Sequence, residues 1–425
     1  MSDSEPNRPE PSLLGPCASF GFGDRIGLAT PGHIAACARG NLLPLFAQQS
    51  VREMERTCRT GGEVMAAAQD ALAAHGWTGP WGADADHLKT RGDVETLARA
   101  GFTMFTIDPS DHVNNAADRL RGADLDAAAD EVIASGAFES IAEVESLYLG
   151  KRVDLPGTEP IAFDDRETLL RALVKYGKAI AFSEKMAGWI AAAGEERGAE
   201  IELSVDETDT PTTPVEHLFI ALELKRRSVE VVSVAPRFVG DFEKGIDFKG
   251  DLALFEETLK KHAAIARRFG PYKISVHSGS DKFLIYPIVG RVCKELLHVK
   301  TAGTSYLEAL RVAARRAPGL FKEIVDFSRS RFETDRATYH ISAELARIPA
   351  PGALDGAARE KVYLDEVGGR QVLHVTFGSV LTEGSTGKGR PFKEALIEVL
   401  TENKDLHEEV LSRHLGRHIE LLCSG

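Results

Sequence analysis

The chain has 425 residues, 43% of them hydrophobic, with 51 lysines and arginines against 64 aspartates and glutamates and a formal net charge of −13. The hydrophobic share is too high for a disordered chain, and the acidic balance excludes a nucleic-acid binder or a membrane-surface protein that works through overall positive charge. The length suits two or three average domains, or one large α/β barrel with insertions.

Residues 1–16 are acidic and proline-rich. They lack the basic and apolar regions of a signal peptide and are expected as a disordered tail. No apolar run along the chain is long enough to span a bilayer. The five cysteines, Cys17, Cys37, Cys58, Cys293 and Cys423, form no CxxC pair. A disulfide framework or cysteine zinc site is therefore not expected, and a reducing cytoplasm is.

Eight short apolar runs read as strands, at residues 18–22, 81–84, 102–107, 200–205, 229–234, 273–276, 296–299 and 372–377. Helical patterns lie between them, at 63–75, 93–100, 213–227, 251–269, 305–316 and 320–348, with two more helices expected in 391–422. Strands alternating with helices imply parallel strands and right-handed crossovers. Eight units imply a closed (β/α)8 barrel of the α/β class, with an open doubly wound sheet as the alternative. Segments 113–199 and 318–370 are too long for simple crossovers and are read as insertions on a single barrel domain spanning 17–425.

Chemistry in a barrel collects at the C-terminal ends of the strands. The first strand exits into GFGDRIG, a GxGxxxG pattern with no Walker lysine, so Asp24 and Arg25 are read as reaching the mouth. The second ends in Ala85, Asp86 and His87. The third exits into IDPSDHV, where Asp111 and His112 can split roles as base and ligand, or can form an Asx-type turn. The fourth exits into SVDETDTPTTP. There Asp206, Glu207 and Asp209 can ligate a cation or exchange protons, while Asp209, Thr210 and Thr213 also suit helix capping.

Arg237 follows the fifth strand and can clamp a carboxylate. Asp241 and Glu243 in the same loop more commonly mark a solvated surface. The sixth strand delivers His277 at its tip, a metal ligand, a proton shuttle or a hydrogen-bonded structural histidine, with Lys282 close behind. His298 and Lys300 share one face of the seventh strand and point into the barrel. A buried lysine needs a partner or a task. His340 falls on a helical pattern, and His374 inside the eighth strand.

Several blocks occur in order: SFGFGDRIGLATPGH, SVDETDTPTTPVEH, APRFVG, FEKGID, KISVHSGSDKF and HVKTAGTSYLEALR. Together they resemble the tagaturonate epimerase family of bacterial hexuronate epimerases, which is also similar to tagatose/fructose 4-epimerases. Weaker similarity continues through TDRATYHIS and HVTFGS. The resemblance implies a barrel enzyme that interconverts D-tagaturonate and D-fructuronate with a divalent metal. Carried over by position, it implies His112 and His277 as ligands with Glu243, and Asp111 and Glu207 as the acid/base pair. A completing ligand stays open among Glu243, His298, His340 and Asp206. Arg25, Arg237, Lys282 and Lys300, beside Asp24, are the expected substrate-binding residues.

The inverted carbon carries a hydroxyl and lies β to the ketone, so simple enolisation cannot invert it. Retro-aldol cleavage and re-addition can, and so can transient oxidation, for which no dinucleotide fingerprint is present. A mixed imidazole–carboxylate site accepts Zn, Mn, Co, Ni or Fe. The alternatives are a ketohexose (tagatose/fructose) 4-epimerase or related isomerase, and a sugar-acid-binding regulator without turnover. The expected partner is a small sugar acid, with no nucleic acid, no membrane, and homo-oligomerisation left open.

Overall fold

The computed structural model describes residues 8–425. Eight parallel strands close into a barrel: β1 (Ser19–Phe22), β2 (Leu43–Ser50), β3 (Gly82–Leu88), β4 (Met104–Ile107), β5 (Glu200–Val205), β6 (Ser233–Pro236), β7 (Lys273–Val276) and β8 (Leu297–Thr301). Each strand pairs with the next in sequence, and β8 closes on β1 with Gly21 opposite Lys300. The expected (β/α)8 architecture is the one observed.

Three strand assignments differ. Residues 372–377 are not a strand: Val372 to Val375 belong to the helix Val367–Val375, which is buried nearly all round. An apolar run buried on every side reads alike in a strand and in a buried helix. The true second strand, β2, has the sequence LPLFAQQS. Its proline, two glutamines and lack of β-branched residues hide it, and its register shifts between Leu45 and Ala47. The strand expected at 229–234 lies further on, at Ser233–Pro236. The helix expected over 320–348 is Pro318–Asp335, after which the chain makes two 3-10 turns, Arg336–Thr338 and Leu345–Arg347.

The region from 8 to 16, expected within a tail, lies against the barrel. Ser12 N donates to Trp81 O at 2.8 Å, and Leu14 packs with Leu45 and Met104. Segment 113–199 contains the helices Gly122–Ala134, Ile141–Tyr148 and Arg166–Ala193 and a two-stranded ribbon. These share the hydrophobic core of the barrel and its helices. The helices of 318–400 build a second core with the inner face of Gly303–Arg316. No helix among the described residues is long and apolar enough to cross a membrane.

Period-two alternation explains the inside of the barrel. On β5, Ile201, Leu203 and Val205 join the apolar core, while Glu202 and Ser204 face the polar interior. Asp84, Thr106, Lys273, His298 and Lys300 do the same on other strands, all buried. Burying this many polar groups is costly unless they pair, and most of their polar atoms do: Lys273 donates to Ser19 Oγ at 3.3 Å, and Ser19 Oγ lies 2.9 Å from His298 Nδ1.

Candidate active site

A cavity of about 370 Å³ opens at the C-terminal ends of the strands. Its floor centres on Lys300 Nζ, 2.7 Å from both Asp84 Oδ2 and Asp86 Oδ1 and 2.8 Å from Glu202 Oε1. Thr106 Oγ1 accepts from it at 2.6 Å. Burial works against this ammonium, but the three carboxylates outweigh it and hold its pKa well above the usual lysine range. Burial, with Asp86 and Glu202 near, pushes Asp84 up to about 6 despite Lys300.

Beside Lys300 stand two imidazoles. His277, at the tip of β7, has Nε2 at 2.6 Å from Glu202 Oε1 and Nδ1 at 3.3 Å from Asp206 Oδ1. Burial opposes its charge, yet Asp206 and Glu202 hold its pKa up to about 9. His87 comes from β3, its ring centre 5.1 Å from that of His277. Its Nδ1 lies 2.9 Å from Asp86 Oδ1, and its Nε2 lies 3.7 Å from Asp206 and 3.8 Å from Glu207. Burial again opposes the charge, while Asp86 and Asp206 raise the His87 pKa well above normal. One ligand atom each from Asp86, His87 and His277 lie within 4.8 Å of one another.

Asp86 and His87 are adjacent, so regular alternation would send them to opposite faces. The backbone departs from regularity at this point. The β3–β4 pairing jumps from Ala85–Phe105 to Leu88–Ile107, and His87 has φ +57°. Such an irregularity re-aims side chains, and both groups reach the mouth. A left-handed histidine is strained, and strain of this kind clusters at functional sites.

The rim is basic. Arg25 pairs through Nε with Glu53 Oε1 at 2.9 Å and lies over the Phe377 ring, 3.5 Å from its centre. Its buried Nη1 has no hydrogen-bond partner. Arg52 pairs with Glu207. Arg237 and Lys244 also border the cavity, and Lys244 Nζ reaches Ser278 Oγ.

The model for a family described as tagaturonate epimerase matches residues 7–422. A tagaturonate/fructuronate epimerase from Thermotoga maritima is 44% identical over 413 residues, covering 97% of this chain and 82% of its own. The chain belongs to the tagaturonate epimerase family. A glycerol-complexed crystal structure of fructuronate-tagaturonate epimerase from Cohnella laeviribosi superposes with a TM-score of 0.90 at 38% identity, covering 97% of this chain and 83% of that one. The native crystal structure of the same protein gives the same values. As a member of this epimerase family the chain is an isomerase.

The family's barrel brings His277, Glu207, Arg25, Arg237 and Lys300 to the cavity. Five other expected site residues lie elsewhere. Asp111 sits on the outward 3-10 turn Ser110–His112, with its side chain 69% exposed and paired with Lys89 at 2.8 Å. His112 on the same turn is exposed and stacks on Phe182, with ring centres 4.2 Å apart. The Asp-Pro-Ser-Asp sequence forms a local turn, with Asp108 accepting from Ser110 N at 2.9 Å. Asp24 is buried and caps the backbone, accepting from Ile26, Gly27 and Ala29 N–H groups. Lys282 Nζ is consumed by carbonyls, at 2.9 Å from Glu243 O and 3.1 Å from Ser280 O. Glu243 is buried, and both its oxygens are occupied by Lys249, Ser342 N and Gln371.

Asp84, Asp86, His87 and Glu202 were not expected as site residues. The sequence signal for Asp86 and His87 was their place at a strand end. Glu202 lies inside a strand and is distinguishable there only by alternation. His374, on a helix rather than a strand, borders the cavity because Gly303 has no side chain. A Cβ on Gly303 would sit 1.9 Å from His374 Nε2.

Proposed function

We propose that this epimerase interconverts D-tagaturonate and D-fructuronate by metal-assisted retro-aldol and aldol steps. The observation that carries the reading is the cavity floor, where carboxylates and two imidazoles crowd one ammonium, beneath a rim of arginines. An acidic floor suits a cation and a basic rim suits a sugar carboxylate. The relatives' names, which give these two uronates as substrates, support the same choice.

The donor set fits a divalent transition metal. Asp86, His87 and His277 converge from two strands, and the buried His87 Nδ1 makes no aligned hydrogen bond within the protein. Two imidazoles and a carboxylate suit Zn, Mn, Co, Ni or Fe. Bound there, such an ion would supply Lewis acidity toward the ketone end of the substrate.

The rest of the chemistry falls to the chain. Arg237 and Arg25 hold the substrate carboxylate. Glu207 pairs with Arg52, which favours its ionised form against burial. It takes the proton of the β-hydroxyl. The alkoxide becomes an aldehyde, the Cα–Cβ bond breaks, and its electron pair enters the enolate. The aldehyde turns its other face, and the bond re-forms with the opposite configuration. Lys300, held charged on β8, donates to the new alkoxide. Glu207 releases its proton to water, and Lys300 regains one. The walls of the cavity keep the two fragments together between steps.

The test is incubation of metal-loaded protein with D-tagaturonate, monitored for D-fructuronate. Conversion that stops on chelation and returns with added metal is expected. No conversion with any of the five metals would overturn the substrate assignment. His277→Ala should lower both metal content and rate; unchanged metal content would remove His277 from the ligand set. Deuterium at the inverted carbon should stay on that carbon and give no primary isotope effect. A primary effect would favour transient oxidation.

A further inference from the structure

We propose that Glu243 is a positioning residue, a latch that holds residues 336–343 across the mouth as one wall of the substrate cavity. The proposal rests on the epimerase reading above but assigns Glu243 no part in metal binding.

The wall begins where the helix Pro318–Asp335 ends. After the turn Arg336–Thr338 the chain runs extended, and Thr338, Tyr339 and His340 border the cavity. Besides its core packing, this strap is held by polar contacts on both sides. On one side Arg56, from the helix Val51–Thr57, donates to Thr338 Oγ1 at 3.0 Å and to the Tyr339 hydroxyl. On the other side is Glu243. Its Oε2 accepts from Ser342 N at 2.7 Å and from Gln371 Nε2 at 2.6 Å. Its Oε1 accepts from Lys249 Nζ at 2.8 Å, and Lys249 also donates to Ser342 Oγ at 2.7 Å.

Glu243 is itself held rigidly. Its loop is pinned by paired backbone bonds between Asp241 and Lys249, and Lys282 grips the Glu243 carbonyl. The residue is 4% exposed. A buried carboxylate needs donors, and here one of them is a backbone amide of the strap. Thr338, His340 and Ser342 are exposed, while Tyr339, Ile341 and Ala343 between them pack on the second core. The core holds the inward face of the strap, and the latch fixes the outward, polar face that borders the cavity. It acts on the substrate only through the groups the strap carries, namely the Tyr339 hydroxyl, the Thr338 hydroxyl and the His340 ring.

Glu243→Gln tests this, because a glutamine amide would set an N–H₂ against Lys249 or Gln371, donor facing donor. Lys249→Met is the milder companion, since that side chain is 43% exposed and its loss leaves the core intact. The first readout is hydrogen exchange of the strap amides in the absence of substrate. Exchange at Ser342 should quicken by about tenfold or more in Glu243→Gln, the loss expected for a charge-assisted hydrogen bond, and by less in Lys249→Met. The second readout is kinetic and metal analysis. KM should rise by about tenfold, in proportion to that loss, with kcat nearly unchanged and metal content as in the unaltered protein. Unchanged strap exchange would overturn the latch. So would loss of metal with a protected strap, which would return Glu243 to the ligand set. If the unaltered protein fails to convert D-tagaturonate, the activity reading falls, and the exchange measurement still decides the latch.

Discussion

Lys300 and Asp111 mark the two extremes for a charged residue on this scaffold. Lys300 lies 4% exposed among Asp84, Asp86 and Glu202. Removing one partner from such a cluster leaves uncompensated buried charge and typically costs about 3–5 kcal/mol. Lys300→Met is therefore expected to lower unfolding free energy by about that amount and to abolish turnover. Asp111 pairs with Lys89 on the surface, where an ion pair contributes about 0–1 kcal/mol. Asp111→Ala should leave kcat/KM and stability nearly unchanged. Urea unfolding and steady-state kinetics on both variants check this; a large activity loss in Asp111→Ala would restore its place in the chemistry. Local sequence separates the two residues only in part. Both follow apolar runs, but Lys300 lies within the regular strand, where alternation sets its direction. Asp111 comes after an Asp-Pro turn that swings the chain outward.

At the scale of the element, β3 is where strand geometry yields to the site. Its hydrophobic pattern announced a strand, and its polar end announced chemistry. The register jump that lets Asp86 and His87 share the mouth was not legible, because alternation predicts opposite faces for neighbours. The same physics hid β2, whose Gln48 and Gln49 replace the β-branched residues of an ordinary strand. It also made the buried helix Val367–Val375 resemble a strand. The composition of β2 masks one strand and the helix Val367–Val375 mimics another, so the apolar runs of the sequence still number eight. The left-handed His87 makes a direct prediction. A left-handed conformation costs a residue with a Cβ about 1–2 kcal/mol, and glycine far less. His87→Gly should therefore be more stable than His87→Ala by about 1 kcal/mol, while both lose metal binding. Equal stabilities in chelator would mean that the backbone at this position relaxes when the imidazole is removed.

Across the whole molecule, buried histidines set the response to acid. His33 and His262 are fully buried, and burial pushes each pKa down to about 4. Asp24 partly opposes this at His33, while His407 adds to it. His262 faces His217, the two Nδ1 atoms 2.9 Å apart, so at most one proton can lie between them. Burial and His262 hold His217 well below its usual value. In the unfolded chain these rings titrate near pH 6.5. Between pH 6.5 and about 4 the unfolded state binds protons that the folded state refuses, so stability must fall as pH falls. The slope approaches about 1.4 kcal/mol per pH unit for each such histidine. His414 has the opposite sign: Glu308 and Asp281 outweigh burial and raise its pKa. Its contribution is complete below pH 6.5 and disappears as pH rises, so it does not offset the acid loss. Unfolding free energy measured in chelator should therefore drop steeply from pH 6.5 to pH 5. His262→Leu, lacking one titrating ring, should flatten that drop. A flat profile over this range would mean that the buried rings become accessible to protons without unfolding.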